Sequence, residues 1–156
     1  MAIDCDEKMR ARDFITELGD APYNYQLDKD ASDPGSEWYF HAPTSVGGLM
    51  VMFNYHLGQL SIEFTLDGEY EQSNKGDQFK ILSTVYNIIK RELPKIVANT
   101  DIDSVIFTAN AENAARVKLY RRIAPQISKI LGPEWKFEER SNFAMTIAFI
   151  WRREQQ

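Results

Sequence analysis

Apolar residues recur at different spacings along this chain, and each change of spacing marks the passage from one element to the next. Residues 102–131 show the change most sharply. Ser104-Val105-Ile106-Phe107-Thr108-Ala109 is a nearly continuous apolar run, followed by an Asn- and Ala-rich turn and then by residues of helical period. A buried strand feeding directly into a helix has this pattern. Asn113 and Tyr120 stand seven residues apart, two helical turns, so they share one face, with Asn113 near the helix start. One amide and one phenol are thereby expected beyond the carboxyl end of the strand.

The rest of the chain reads in the same way. Residues 7–18 place Met9, Phe14, Ile15 and Leu18 at helical spacing before Gly19, a suitable C-terminal cap. Tyr23 to Leu27 alternates as a strand does, and the Ser, Asp, Pro and Gly of residues 30–36 make a loop. Three strands follow, over 37–42, 49–55 and 59–66, the last alternating Leu60, Ile62 and Phe64 with Ser61, Glu63 and Thr65. Turns at 46–48 and 56–58 join them as an antiparallel meander. Residues 67–77 are a polar loop, with Asp77 expected to cap a long helix whose apolar face is Phe79, Leu82, Val85, Tyr86, Ile89, Leu93 and Ile96. Pro94 and Pro125 are expected to kink their helices, and Gly132-Pro133 to stop the second. Strands over 135–138 and 143–151 close the chain, the latter apolar enough for burial on both faces.

The order is helix, four strands, helix, strand, helix, strand, strand. It predicts an α+β fold: a single domain over 1–156 with a mixed, mostly antiparallel central sheet and helices on both faces. Composition fits one core, with 156 residues, 44% of them hydrophobic and 12% aromatic. A net charge of −5 opposes general binding to nucleic acid or an anionic membrane. No window has the run of apolar residues needed to span a bilayer, and the acidic first residues do not resemble a signal peptide. A soluble, cytoplasmic protein is expected. Cys5 is the single cysteine, and His41 and His56 lack the spacing of a metal site, so no metal is expected. No Gly-x-Ser-x-Gly nucleophile motif occurs. Arg116, Lys118, Arg121 and Arg122 make a basic stretch that suits phosphates, an acidic partner or simply a solvated face. Trp38, Tyr39 and Phe40 read as core residues.

The element order resembles the GNAT family of N-acetyltransferases, over roughly residues 58–151. Asn113, six residues, then Tyr120 preceded by Leu119 looks like the family motif on its fourth helix. The resemblance implies acetyl-CoA as the acyl donor, Asn113 in contact with the cofactor and Tyr120 as proton donor to the departing thiolate. It also implies that the turn into the long helix cradles the pyrophosphate on backbone N–H groups, with Asn74, Lys75 and Gly76 as the residues concerned. Glu71 stands where the family carries Arg or Gln, and the family's Gly-Phe after the Tyr-bearing helix is replaced by Arg121-Arg122-Ile123-Ala124-Pro125. Glu63, between Ser61 and Thr65, would be placed to deprotonate an attacking amine through a water; a solvated strand carboxylate is the plain alternative. Gly76-Asp77, Phe107-Thr108-Ala109 and Arg116 to Tyr120 further resemble pieces of small uncharacterised bacteriophage proteins.

Three functions stay open on the sequence. The first is an acetyl-CoA-dependent N-acyltransferase acting on an amine of a small molecule or protein, with Tyr120 and Glu63 in the chemistry. The second is a non-catalytic phage protein of the same fold, binding or inhibiting a protein partner or built into a virion. The third, a nucleic-acid binder using residues 116–122, is opposed by the net charge.

Overall fold

The three-strand meander forms because Leu49, Val51 and Phe53 face Phe40 and Ala42 on one side and Leu60, Ile62 and Phe64 on the other, every second residue turned to the core. A computed structural model describes residues 22–45, 47–66, 75–142 and 145–154. Its seven strands are β1 (Gln26–Leu27), β2 (Glu37–Thr44), β3 (Gly47–His56), β4 (Gln59–Leu66), β5 (Ser104–Asn110), β6 (Trp135–Ser141) and β7 (Thr146–Arg153). Two helices, α1 (Lys75–Asn99) and α2 (Ala114–Leu131), follow β4 and β5. The sheet order is β1-β2-β3-β4-β5-β7-β6, antiparallel throughout except for the β4–β5 pair, which α1 connects. This is the mixed, mostly antiparallel α+β architecture expected from the pattern.

Both described helices pack on the same sheet face, since Leu82, Val85, Ile89, Val117, Tyr120 and Ile127 share one core with Phe40, Val51, Phe64, Phe107 and Phe149. The helix expected over 7–18 lies outside the described residues, as do Cys5, Asn74, most of the 67–77 loop and the first residues of the expected 143–151 strand. Several boundaries move. Only Gln26 and Leu27 of the expected 23–27 strand pair with β2, whereas β6 continues past Glu138 to Ser141. Asp77 is not the cap of α1, which begins at Lys75 and has Asp77 as its third residue. Neither proline ends its helix. Pro94 and Pro125 are both exposed, so the carbonyl each leaves without a donor can turn to water. Gly132 does end α2, its N–H bonded to the Ser128 carbonyl at 3.0 Å. In β7, Phe149, Ile150 and Trp151 are buried in succession, which requires cover on both faces there.

One turn sets the register on which the site depends. Leu57 and Gly58 join β3 to β4 with φ of 49° and 83°, the left-handed pair that a two-residue hairpin loop needs. The Gly58 carbonyl accepts from Asp103 N–H at 2.8 Å and Ser104 N–H at 3.3 Å, tying the start of β4 to the start of β5. A Cβ at Gly58 would meet the Asp103 carboxylate at 3.0 Å. Gly58→Val should therefore destabilise the protein by about 1–3 kcal/mol through backbone strain and this clash. Urea melts of the two proteins check it; coincident curves would remove the strain argument.

Candidate functional site at the parting of two strands

Side by side at their starts, β4 and β5 separate before their ends. Only Gln59↔Ser104, Leu60↔Val105 and Ser61↔Ile106 pair; beyond them Phe64 pairs only with Val51 of β3, and Phe107 only with Phe149 of β7. The opening lies at the carboxyl ends of two parallel strands, where α1 and α2 both begin, the place at which sheets of this kind take ligands. Because the loss of pairing concerns backbone groups, the freed edge of β4 must find other partners.

One of them is Arg116. Its Nη1 donates to the Phe64 carbonyl at 3.1 Å, and its guanidinium lies over the Phe64 ring, 4.4 Å from the centroid. Asn113 makes this possible by capping α2: its Oδ1 accepts from the Arg116 N–H at 3.1 Å, and its carbonyl accepts from Val117 N–H. The Asn113 amide oxygen is thus committed to the helix.

Tyr120, one turn further on, is only 3% exposed. Its ring stacks on Phe107 at 5.2 Å and meets Phe64 and Phe149 edge-on at 6.0 and 5.7 Å. Burial pushes the phenol above its usual pKa, while the charge of Arg116 and its hydrogen-bonding approach to the hydroxyl pull the other way. The charge of Glu63 adds to the rise, although Glu63 is exposed, opposite Met52, on the sheet side that alternation sets away from Phe64. Of the three expected residues, Tyr120 lies between Phe64 and Phe107 at the parting, Asn113 caps the helix one turn before Arg116, and Glu63 is on the opposite side of the sheet. Lys75 and Gly76 are the first two residues of α1, where backbone N–H groups have no intrahelical acceptor.

The remaining candidates fall elsewhere. His41 and His56 are exposed, and Phe40 is core, edge-on to Tyr25 and Phe53. The basic stretch does not act as one face: Arg116 points into the opening, while Arg121 holds Glu139 with two bonds of 2.9 and 3.0 Å. The sequence names Arg116 only as part of the basic stretch; its separate place beside Phe64 was not read from it. Its spacing from Asn113 and Tyr120, three and four residues, puts it on their stripe of the helix. Among the described residues, no group of three His, Cys, Asp or Glu is close enough to hold a metal, and no helix is long and apolar enough to cross a membrane.

No protein-family profile matches the chain, and no curated protein matches it. Solved structures do resemble it at low identity. A chimera of spermidine N-acetyltransferase SpeG from Vibrio cholerae and hSSAT aligns over 77% of this chain and 68% of its own, at 11% identity and a TM-score of 0.42. An acetyltransferase of the GNAT family from Streptococcus pneumoniae aligns over 82% and 72%, at 13% identity and 0.41. A putative acetyltransferase from Sphaerobacter thermophilus DSM 20745 covers 96% and 89%, at 10% and 0.40. At such scores the architecture rests on the strand order and the parting of β4 from β5.

Proposed function

We propose that the protein is an acetyl-CoA-dependent N-acyltransferase whose donor lies in the opening between β4 and β5. The observation that carries this reading is the parting itself, with the Tyr120 hydroxyl and the Arg116 guanidinium gathered beside it. The two amides of the pantetheine arm are suited to a freed strand edge, here the backbone of β4 from Ile62 onward. The N–H groups of Lys75 and Gly76 would face the pyrophosphate, with Asn74 in the preceding turn and Asn113 alongside.

In this reading the nitrogen of an amine acceptor attacks the thioester carbonyl carbon. A C–N bond forms as the C–S bond breaks. One amine proton passes through water to Glu63, and Tyr120 gives its hydroxyl proton to the sulfur, so the products are an amide and the free thiol. The acceptor is an amine of a small molecule or a protein. A raised pKa suits the Tyr role, because the phenol then holds its proton throughout the neutral range.

A second reading has one observation in its favour. Arg116 already occupies the Phe64 carbonyl, so the opening is partly filled by the protein's own side chain. That suits a non-catalytic binding or assembly module, of bacteriophage or other origin, which keeps the fold without the reaction. Calorimetry with acetyl-CoA decides between them. Saturable binding is expected; no heat at millimolar ligand removes the acyltransferase reading and leaves the second.

A further inference from the structure

The outermost strand of the sheet is built to take a neighbour. β6 ends the strand order and pairs with β7 residue for residue, from Trp135↔Arg153 to Ser141↔Ile147, without a bulge. Bulges, prolines and very short lengths are what ordinarily keep an edge from pairing, and β6 has seven residues and none of these. It is also open to solvent. Phe137 is 42% exposed, its ring lying 4.8 Å from that of Trp151 and 6.4 Å from that of Phe149, and the side chains of Lys136 and Glu138 are 74% and 41% exposed. A ring half in the core and half at the rim of the sheet is apolar surface that a strand added to this edge would cover.

Charges on an edge strand discourage pairing in general, but their order along β6 admits one register with a second copy of itself. In an antiparallel pairing about a two-fold axis, opposite residues share a face, so the axis passes through a residue. With the axis at Phe137, the two Phe137 rings meet, Lys136 faces the partner's Glu138, and Glu138 faces the partner's Lys136. With the axis at Glu138, that carboxylate meets its own copy and Lys136 meets the partner's Arg140. An axis at Lys136, Glu139 or Arg140 likewise sets a charge on its own copy, which costs stability. Lys136 and Glu138 have partners within the chain, Glu154 at 2.6 Å and Arg140 at 3.0 Å, but exposed pairs hold little energy and can be shared across the axis. The helices leave room. α2 lies over β7, where the Trp151 indole N–H donates to the Ser128 hydroxyl at 2.9 Å. Two copies of β7 flanking a β6 pair stand three strand spacings apart, about 14 Å, wider than the roughly 8–10 Å at which helices pack.

We propose that β6 is a homodimer interface, in which two copies pair antiparallel about a two-fold axis at Phe137 and join their sheets into one. The surface is separate from the opening between β4 and β5, with β5 and β7 standing between them, and the proposal does not depend on the acyltransferase reading.

Sedimentation equilibrium of the parent, Lys136→Glu, Glu138→Lys and the double variant tests it. The parent should form a dimer that dissociates on dilution. Either single substitution turns two attracting pairs into two repelling ones, because the axis repeats each change, and should weaken the dimer by roughly tenfold or more. The double variant restores opposite charges across the axis and should recover most of the parent's association. General charge repulsion gives another pattern. The chain carries a net charge of −5, which Lys136→Glu increases and Glu138→Lys reduces, so repulsion alone would move the two singles in opposite directions. Both positions are exposed, and thermal melts of the variants should stay close to the parent's. A parent that remains monomeric at the highest concentrations overturns the proposal. So does a dimer that ignores the single substitutions or that the double variant fails to recover, since the contact then lies elsewhere.

Discussion

Tyr120→Phe is expected to lower acyl transfer by roughly 10²-fold or more while leaving thermal unfolding close to the parent's. The ring stays, and with it the stack on Phe107 and the edge contacts to Phe64 and Phe149; only the hydroxyl beside Arg116 is lost. One such hydrogen bond is worth at most about 1 kcal/mol or slightly more of stability. Tyr120→Ala should behave differently, losing about 3–5 kcal/mol because it empties an aromatic cluster at the centre of the core. The pH profile supplies an independent check. The phenol is active when protonated and its pKa is raised, chiefly by burial, so transfer should hold its plateau through neutral pH and fall through this group only above pH 10. A Phe variant that transfers acyl groups at the parent rate would leave Tyr120 as packing alone.

The elements with strict periods were legible, and the feature that makes the site was not. Leu49, Val51 and Phe53 alternate with their neighbours because one face of β3 is buried from end to end, so the pattern reports both the strand and its pairing. The same signal is blind to the parting of β4. Leu60, Ile62 and Phe64 stay buried straight through the point where pairing with β5 stops, because the helices above cover the side chains while only backbone contacts are lost. Patterning reports side-chain burial and carries no trace of a missing ladder. Arg116 was hidden for a related reason. A cation among Lys118, Arg121 and Arg122 reads as part of a solvated run, and only the opening beside Phe64 turns it inward. In α1, Ser83 and Thr84 are not among the residues of the predicted apolar face yet are fully buried, the Thr84 hydroxyl accepting from the Tyr23 N–H and donating to the Lys80 carbonyl. The Ser83 hydroxyl has no hydrogen-bond partner among the described residues, a cost that no sequence period would announce. Asn113 was legible in part: its place near the helix start was read from the sequence, and there it caps α2.

Gly76→Val should abolish binding of acetyl-CoA while leaving the fold intact. Gly76 is the second residue of α1 and has no left-handed backbone angle, so a β-branched residue fits the local conformation and costs the helix only a fraction of a kcal/mol to about 1 kcal/mol in propensity and crowding. What the substitution removes is close approach. In the acyltransferase reading the pyrophosphate rests on the unsatisfied N–H groups of this first turn, and a branched side chain there keeps a doubly charged group out of hydrogen-bonding distance. Several charge-assisted hydrogen bonds are lost together, which at about 1.5–3 kcal/mol each carries a micromolar ligand beyond detection. Gly76→Ala, with a single methyl, should weaken binding by less. Calorimetry alongside thermal melts reads both quantities on the same samples. Acetyl-CoA binding by the Val variant with the parent's affinity would place the pyrophosphate away from α1, and would leave the β4 edge and Arg116 to hold the ligand by themselves.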